Sequence, residues 1–303
     1  MASGLQKTAG NKMKDLLGYL TNNRILGVLV GALVTAIIQS SSATTVMVVG
    51  FVNAGIMNLT QAAGVIMGAN VGTTITAWLV SANEWAGALK PDFFAPFILG
   101  IGAFIITFSN KQKMTQKAEI AVGFGILFIG LSSMSSSIGV YQDSPVFYKA
   151  FQVLGGNPIL GILVGAVVTA IIQSSSASVG ILQALSKTGT ISYSMAIPIV
   201  MGQNIGTCVT ALISCIGAKK NAKRAAFVHL YFNIIGTLVI CALFYGSNLF
   251  INYGFLNDIV GPENIAVIHT AFNLLATAIL LPFNKYLEKL ACLTIKDKEE
   301  DSD

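Results

Sequence analysis

The chain has 303 residues, of which 54% are hydrophobic and only 10% charged, against roughly 25% charged in a soluble globular domain. With a mean hydropathy of +0.72 and apolar runs broken only by Gly, Ser, Thr and Asn, it reads as a chain whose solvent is lipid, which sets a water-soluble domain aside. The net charge of +5 comes without a basic stripe and interleaved aromatics, so nucleic acid is not an expected partner and orientation in a bilayer accounts for the excess.

Residues 1–21 carry Lys7, Lys12, Lys14 and Asp15 among scattered apolar positions. With no continuous apolar core ahead of a cleavage site, this is an amphipathic cytoplasmic segment rather than a signal peptide. Next comes ILGVLVGALVTAIIQSSSA at 25–43, which returns without a gap as ILGILVGAVVTAIIQSSSA at 159–177. Met67–Ala77 (MGANVGTTITA) returns at the same spacing as Met201–Ala211 (MGQNIGTCVTA). Two copies at so long a period exclude a solenoid and point to a duplicated half-protein, as in many secondary transporters.

Each half begins with an apolar stretch of 15 residues, Arg24 to Ile38 and Pro158 to Ile172. At about 1.5 Å per residue it covers roughly 22 Å, short of a hydrocarbon core of about 30 Å. A second short stretch follows each QSSS and ends near Gly55 or Gly189. Each pair therefore reads as a re-entrant helical hairpin with QSSS at its tip. Three longer segments follow in each half, about 60–82, 91–110 and 118–140, then 193–217, 225–250 and 264–283, all expected to span.

The fold class is thus an all-α polytopic membrane protein with two repeats, each a hairpin plus three transmembrane helices. The divisions are 1–21, a first repeat over 22–140, an extracytoplasmic linker over 141–157, a second repeat over 158–283 and a charged cytoplasmic tail over 284–303. A hairpin adds no crossing and three spans add an odd number, so the second repeat is inverted. With the N-terminus inside, Lys90, Lys149 and Lys187 alone among the 18 basic residues fall outside, as the positive-inside rule requires. The two tips then approach one another from opposite faces. The closing KDKEEDSD run reads as a solvated tail.

A helix break at membrane depth is tolerated only inside protein or beside a cavity. In each hairpin the first arm is expected to end near Gln39 or Gln173 and the second to start near Ser42 or Ser176, serine being a favoured N-cap. Helix N-termini carry about half a positive charge, so two of them make an anion site without Lys or Arg, and serine hydroxyls donate further bonds. The amide oxygens of Gln39 and Gln173 and the arm-end carbonyls suit Na⁺. Paired glycines around Asn70 and Asn204 suggest a local unwinding, with Thr73 and Thr76, and likewise Thr207 and Thr210, sharing a helix face.

Gly, Ser and Thr in membrane helices otherwise serve close packing, and that reading is kept for Gly27/Gly31 and Gly161/Gly165. Phe93, Phe94 and Phe97 are read as lipid or bundle contacts. Cys208, Cys215, Cys241 and Cys292 lack metal spacing and read as small hydrophobes. No Asp or Glu lies deep in a span, so a carboxylate proton relay has no candidate and Na⁺ is the favoured coupling ion. His229 and His269 are either hydrogen-bonded packing residues or part of gating. No GxSxG elbow supports a serine hydrolase, and no enzyme is expected.

The duplicated QSSS, each followed by MGxNxGTxxTA, together with RAAFVHLYFN at 224–233 and HTAFN at 269–273, resembles the bacterial members of the type II sodium-phosphate cotransporter family. The resemblance implies symport of Na⁺ and inorganic phosphate across a bacterial inner membrane by alternating access, with both termini cytoplasmic and no cofactor beyond the coupling ion. It implies that Gln39 with Ser40, Ser41 and Ser42, and Gln173 with Ser174, Ser175 and Ser176, contribute to substrate and cation binding. One Na⁺ site falls on Gln173, Ser174, Thr207 and Thr210, while Asn70, Thr73 and Asn204 match the motif. Position 203 is Gln where its repeat mate is Ala69, so the two cation environments need not be equivalent. Carriage of another oxyanion or a dicarboxylate, or phosphate export, stays open, and a homo-oligomer is compatible with the sequence.

Overall fold

A computed structural model describes residues 23–85, 91–139, 153–154 and 156–296. The expectations for segment 1–21, for most of the 141–157 linker and for the end of the tail lie outside the described residues.

In chain order the helices are α1 (Arg24–Ile38), α2 (Ser41–Asn53), α3 (Leu59–Trp85), α4 (Pro91–Phe108), α5 (Gln112–Gly139), α6 (Pro158–Ile172), α7 (Ser175–Ser186), α8 (Tyr193–Ser214), α9 (Lys220–Ile251), α10 (Pro262–Leu280) and α11 (Asn284–Thr294). Among the described residues there is no strand, only an isolated bridge between Ser192 and Ile259. Among the described residues, four helical stretches are long and apolar enough to cross a membrane: Leu59–Ala82, Tyr193–Ser214, Lys220–Ile251 and Pro262–Thr294. Four of the six expected spans are therefore found. The 91–110 segment is the apolar helix α4, Pro91–Phe108, and the segment expected at 118–140 starts earlier, at Gln112.

The short arms begin and end where their sequence dictates. Asn23 accepts the Ile25 N–H at 2.9 Å, and Asn157 accepts those of Ile159 and Leu160 at 3.1 and 3.2 Å ahead of Pro158, satisfying first-turn donors that have no intrahelical partner. Both first arms stop on a glutamine in the left-handed region, Gln39 at φ 60° and Gln173 at φ 58°. The arms of each pair are joined by matching bonds, Thr35 Oγ1 to Thr44 Oγ1 at 3.0 Å and Thr169 Oγ1 to Ser178 Oγ at 2.7 Å.

α1 lies on α3 in the same way that α6 lies on α8. Backbone approaches there are close enough that a Cβ on Gly31 or Gly165 would run into the carbonyl oxygen of Val65 or Ile199. Gly68 and Gly202 meet the carbonyls of Val28 and Ile162, and Gly72 and Gly206 those of Ala32 and Ala166. This corrects the expected unwinding around Asn70 and Asn204. α3 and α8 run through the motif as continuous helix, and the glycines are where a neighbouring backbone presses in.

Beyond these pairs the two halves differ. α9 and α10 pack around α3 of the first half, whereas α4 and α5 pack chiefly on each other, α5 also touching α7. α2 is held against α8 and α9, and α7 against α3, α5 and α10, so each broken pair rests on helices of the other half. Outward faces are apolar: on α6, Ile159, Leu163, Val167 and Ile171 follow at four-residue intervals and are all more than half exposed, as suits a lipid contact.

Candidate functional site

Where the chain leaves the left-handed Gln39, Ser40 is extended (φ −153°, ψ 104°) and its Oγ accepts the Ala43 N–H at 3.1 Å. Ser174 does the same for Ala177 at 3.2 Å. The caps are thus Ser40 and Ser174 and the second arms start at Ser41 and Ser175, which corrects the expected start near Ser42 and Ser176. The reason is local: a single left-handed residue ends the first arm, and the next serine already has the extended backbone that capping needs.

The starts of the two second arms then meet. Ser41 Oγ and Ser175 Oγ are 3.2 Å apart, both buried, at 3% and 4% exposure. Ser42 Oγ crosses to the Gln173 carbonyl at 3.2 Å. Two helix N-termini thus converge on one spot from the two halves, each with first-turn N–H groups outside the helical ladder. No ionised side chain occurs in Gln39–Thr45 or Gln173–Val179, so the electrostatics there come from helix ends and hydroxyls.

Other expected site residues divide in two. Thr76 Oγ1 donates to Gln39 Oε1 at 3.0 Å, and the Gln39 amide nitrogen donates to the Ala36 carbonyl, so the first tip is tied down onto α3. The equivalent pair in the second half is apart: Gln173 is exposed, and Thr210 Oγ1 is buried without a hydrogen-bond partner. Thr73 and Thr207 turn their hydroxyls to the carbonyls of Ala69 and Gln203 in their own helices, each at 2.9 Å. Asn204 does likewise toward Val200. Ser176 is half-buried.

Asn70 turns away from the tips. Its Nδ2 donates to Asn233 Oδ1 at 2.7 Å and its Oδ1 lies 3.3 Å from His229 Nε2. Asn233 Nδ2 in turn donates to the His229 carbonyl and to Cys208 Sγ. This buried knot joins α3, α8 and α9, and the motif reading of Asn70 did not foresee it. The available signal was H-x-x-F-N, present at His229–Asn233 and again at His269–Asn273. His229 is therefore a hydrogen-bonded residue, whereas the ring nitrogens of the equally buried His269 have no partner. Gln203, whose repeat mate is Ala69, donates its Nε2 to the Ser178 carbonyl at 3.0 Å and leaves its Oε1 buried and unpartnered. No group of three or more metal-ligating side chains occurs among the described residues, and the four cysteines are free thiols.

Apolar helices of spanning length around two paired helix breaks define a helical membrane transport protein. More particularly, the chain belongs to the Na⁺/Pi-cotransporter family, whose sequence profile matches residues 1–136 and 144–257. It is 29% identical over 300 residues to the "Uncharacterized protein YqeW" of Bacillus subtilis, covering 98% of this chain and 94% of that one. It is 26% identical over 301 residues to the "Putative inorganic phosphate export protein YjbB" of Salmonella typhimurium, over 98% of this chain but only 53% of that protein. Over an alignment of 147 positions it is 35% identical to the rat "Sodium-dependent phosphate transport protein 2A", covering 44% of this chain and 23% of the relative. The chain thus spans about half of one of these relatives and a quarter of another. No solved structure matches.

Proposed function

We propose that the protein is a sodium-coupled symporter of inorganic phosphate in a bacterial inner membrane, working by alternating access, with both termini cytoplasmic. Its two broken helix pairs are re-entrant hairpins of inverted repeats spanning 22–140 and 158–283, joined through a linker at 141–157. The anion is held by Ser40, Ser41, Ser42, Ser174, Ser175 and Ser176 at the tips. Na⁺ is held by neutral oxygens from the set Gln39, Asn70, Thr73, Gln173, Ser174, Asn204, Thr207 and Thr210, with Thr76 beside Gln39. Family membership and the names of the relatives support phosphate as the substrate.

The single observation that carries the reading is the 3.2 Å approach of Ser41 and Ser175 at the starts of α2 and α7. Two helix ends of like polarity repel each other unless something negative lies between them, and an oxyanion accepts from the first-turn N–H groups of both. Entry of the anion parts the two hydroxyls and replaces their mutual bond by bonds to phosphate oxygens. On the cation side, Gln39 and Thr76 are joined while Gln173 and Thr210 are not. Filling of the second site by Na⁺ draws Gln173 onto α8, as Gln39 is drawn onto α3, and so coordinates one tip with the other.

Purified protein in liposomes takes up labelled phosphate when an inward Na⁺ gradient is imposed, and severalfold less when K⁺ replaces Na⁺. Equal uptake under both conditions overturns sodium coupling. A second reading, phosphate export, is favoured by the similarity over 98% of the chain to a protein named for export. It predicts that cells producing the protein lose labelled phosphate faster than cells without it, at matched external Na⁺.

A further inference from the structure

His269 is buried in α10 at 1% exposure, yet neither ring nitrogen has a hydrogen-bond partner among the described residues. One turn on, Asn273 donates Nδ2 to the His269 carbonyl at 2.8 Å and leaves its Oδ1 buried and unpartnered as well. Buried polar side chains are paired with few exceptions, and an ionisable one inside a membrane points to something that it binds. The other histidine, His229, shows the ordinary case, with Asn70 Oδ1 3.3 Å from its ring.

Its place in α10 says what His269 faces. Ala77 of α3, Val179 of α7, and Ile265 and Ala266 of α10 belong to one buried apolar cluster. α10 runs antiparallel to α7, whose Gln183, beyond Val179, donates to the carbonyl of Pro262, ahead of Ile265, at 2.9 Å. It runs antiparallel to α3 too: Trp78 donates to Thr270 Oγ1 at 3.0 Å, and nearer the start of α3, Met67 shares a second cluster with Ala276. One turn from Val179 and Ala77 in the direction of the tips, α7 reaches Ser175 and α3 reaches Thr73. One turn from Ile265 in the same direction, and on the same face, α10 reaches His269. The imidazole therefore comes level with the 3.2 Å contact of Ser41 and Ser175.

What the tips offer an anion is chiefly donors, first-turn N–H groups and hydroxyls. Phosphate near neutral pH keeps at least one hydroxyl proton, so one of its oxygens needs an acceptor. Neutral imidazole has one donor and one acceptor nitrogen, and an amide oxygen is an acceptor only. We propose that His269, with Asn273 one turn deeper, binds the protonated oxygen of the phosphate held between the tips, and so selects oxyanions that keep a hydroxyl. Sulfate has lost its last proton at that pH and sets lone pair against lone pair there. A site built to bond a substrate hydroxyl rejects the analogue without one. The assignment rests on the reading that the tips hold phosphate.

Competition against labelled phosphate bound to the purified full chain, at fixed Na⁺ and neutral pH, tests this. Arsenate, which keeps its proton as phosphate does, should displace the label, and sulfate at the same concentration should not. In His269→Ala the label should bind about tenfold more weakly, the loss expected of one hydrogen bond to a charged ligand, and the preference for phosphate over sulfate should shrink severalfold. His269→Gln, which keeps a donor and an acceptor, should restore most of both. A preference unchanged in His269→Ala overturns the proposal and leaves the ring to bound water. Failure of the unaltered chain to bind labelled phosphate at all overturns the tip reading, and this proposal with it. If His269→Ala folds poorly, ring-nitrogen NMR of the unaltered chain, which has two histidines, decides the matter. Phosphate should shift the signals of one ring and sulfate those of neither. No shift, or a shift only in the signals that His229→Gln removes, overturns the proposal.

Discussion

Ser41 and Ser175 are the tip serines whose hydroxyls meet each other across the two halves, whereas Ser42 reaches a carbonyl of the other half and Ser40 and Ser174 are committed to capping. A hydrogen bond to a charged group contributes about 1.5–3 kcal/mol, and 1.4 kcal/mol is a factor of ten. Ser175→Ala and Ser41→Ala should therefore each raise the KM for phosphate roughly tenfold or more, with a smaller effect on the Na⁺ requirement at saturating phosphate. Unchanged phosphate kinetics in both variants rejects the hydroxyls as ligands. The sequence made the QSSS run conspicuous by repeating it, but three serines in a row leave three candidate caps. The choice among them follows from Gln39 and Gln173 taking left-handed backbone, which no short-range pattern announces. Asn70 and Asn204 are likewise indistinguishable as motif residues. One meets Asn233, 163 positions away, and the other bonds within its own helix, a difference made by tertiary packing.

At the level of elements, the ends of α1 and α6 were legible to the residue, because Asn ahead of an apolar run, as at Asn23 and Asn157, is a start signal and a Gln-Ser run is a poor continuation of an apolar helix. The Gly-x-x-x-Gly spacing in α3 and α8 was legible as small residues but not for its purpose, since the same glycines serve an unwound segment or a close crossing. Packing distinguishes the two, and a substitution tests it. A Cβ on Gly68 points into the Val28 carbonyl, whereas one on Gly50 of α2 meets nothing within 4 Å. Overpacking costs about 1–3 kcal/mol, while alanine for glycine inside a helix contributes about 0.5–1 kcal/mol of stability. Gly68→Ala is expected to lower the thermal midpoint of the detergent-solubilised protein by several degrees, and Gly50→Ala to leave it unchanged or raise it slightly. Equal midpoints show that α1 and α3 do not cross as closely as described. α4 and α5 were the least legible elements, because apolar composition sets a length but does not say which helices a segment packs on.

Across the whole molecule the two halves are alike where α1–α2–α3 and α6–α7–α8 repeat one another, and unlike where α9 and α10 enclose α3 while α4 and α5 stand largely apart. The tips are where the like parts touch, so a bond across them fixes the halves in one relation. With Cys208, Cys215, Cys241 and Cys292 first replaced by alanine, Ser41→Cys combined with Ser175→Cys sets two thiols where hydroxyls lie 3.2 Å apart. A disulfide needs about 2.05 Å, a closure of about 1 Å. Mild oxidation should form an intramolecular disulfide that stops phosphate uptake, and a reductant should restore it, while either single cysteine shows neither effect. Phosphate present during oxidation should slow the cross-link, because an anion seated between the helix starts keeps the sulfurs apart. This last readout holds even if cysteine at these positions weakens transport, since it needs only binding. A cross-link that forms at the same rate with and without phosphate, or that forms fully and leaves uptake intact, removes the substrate from between the tips.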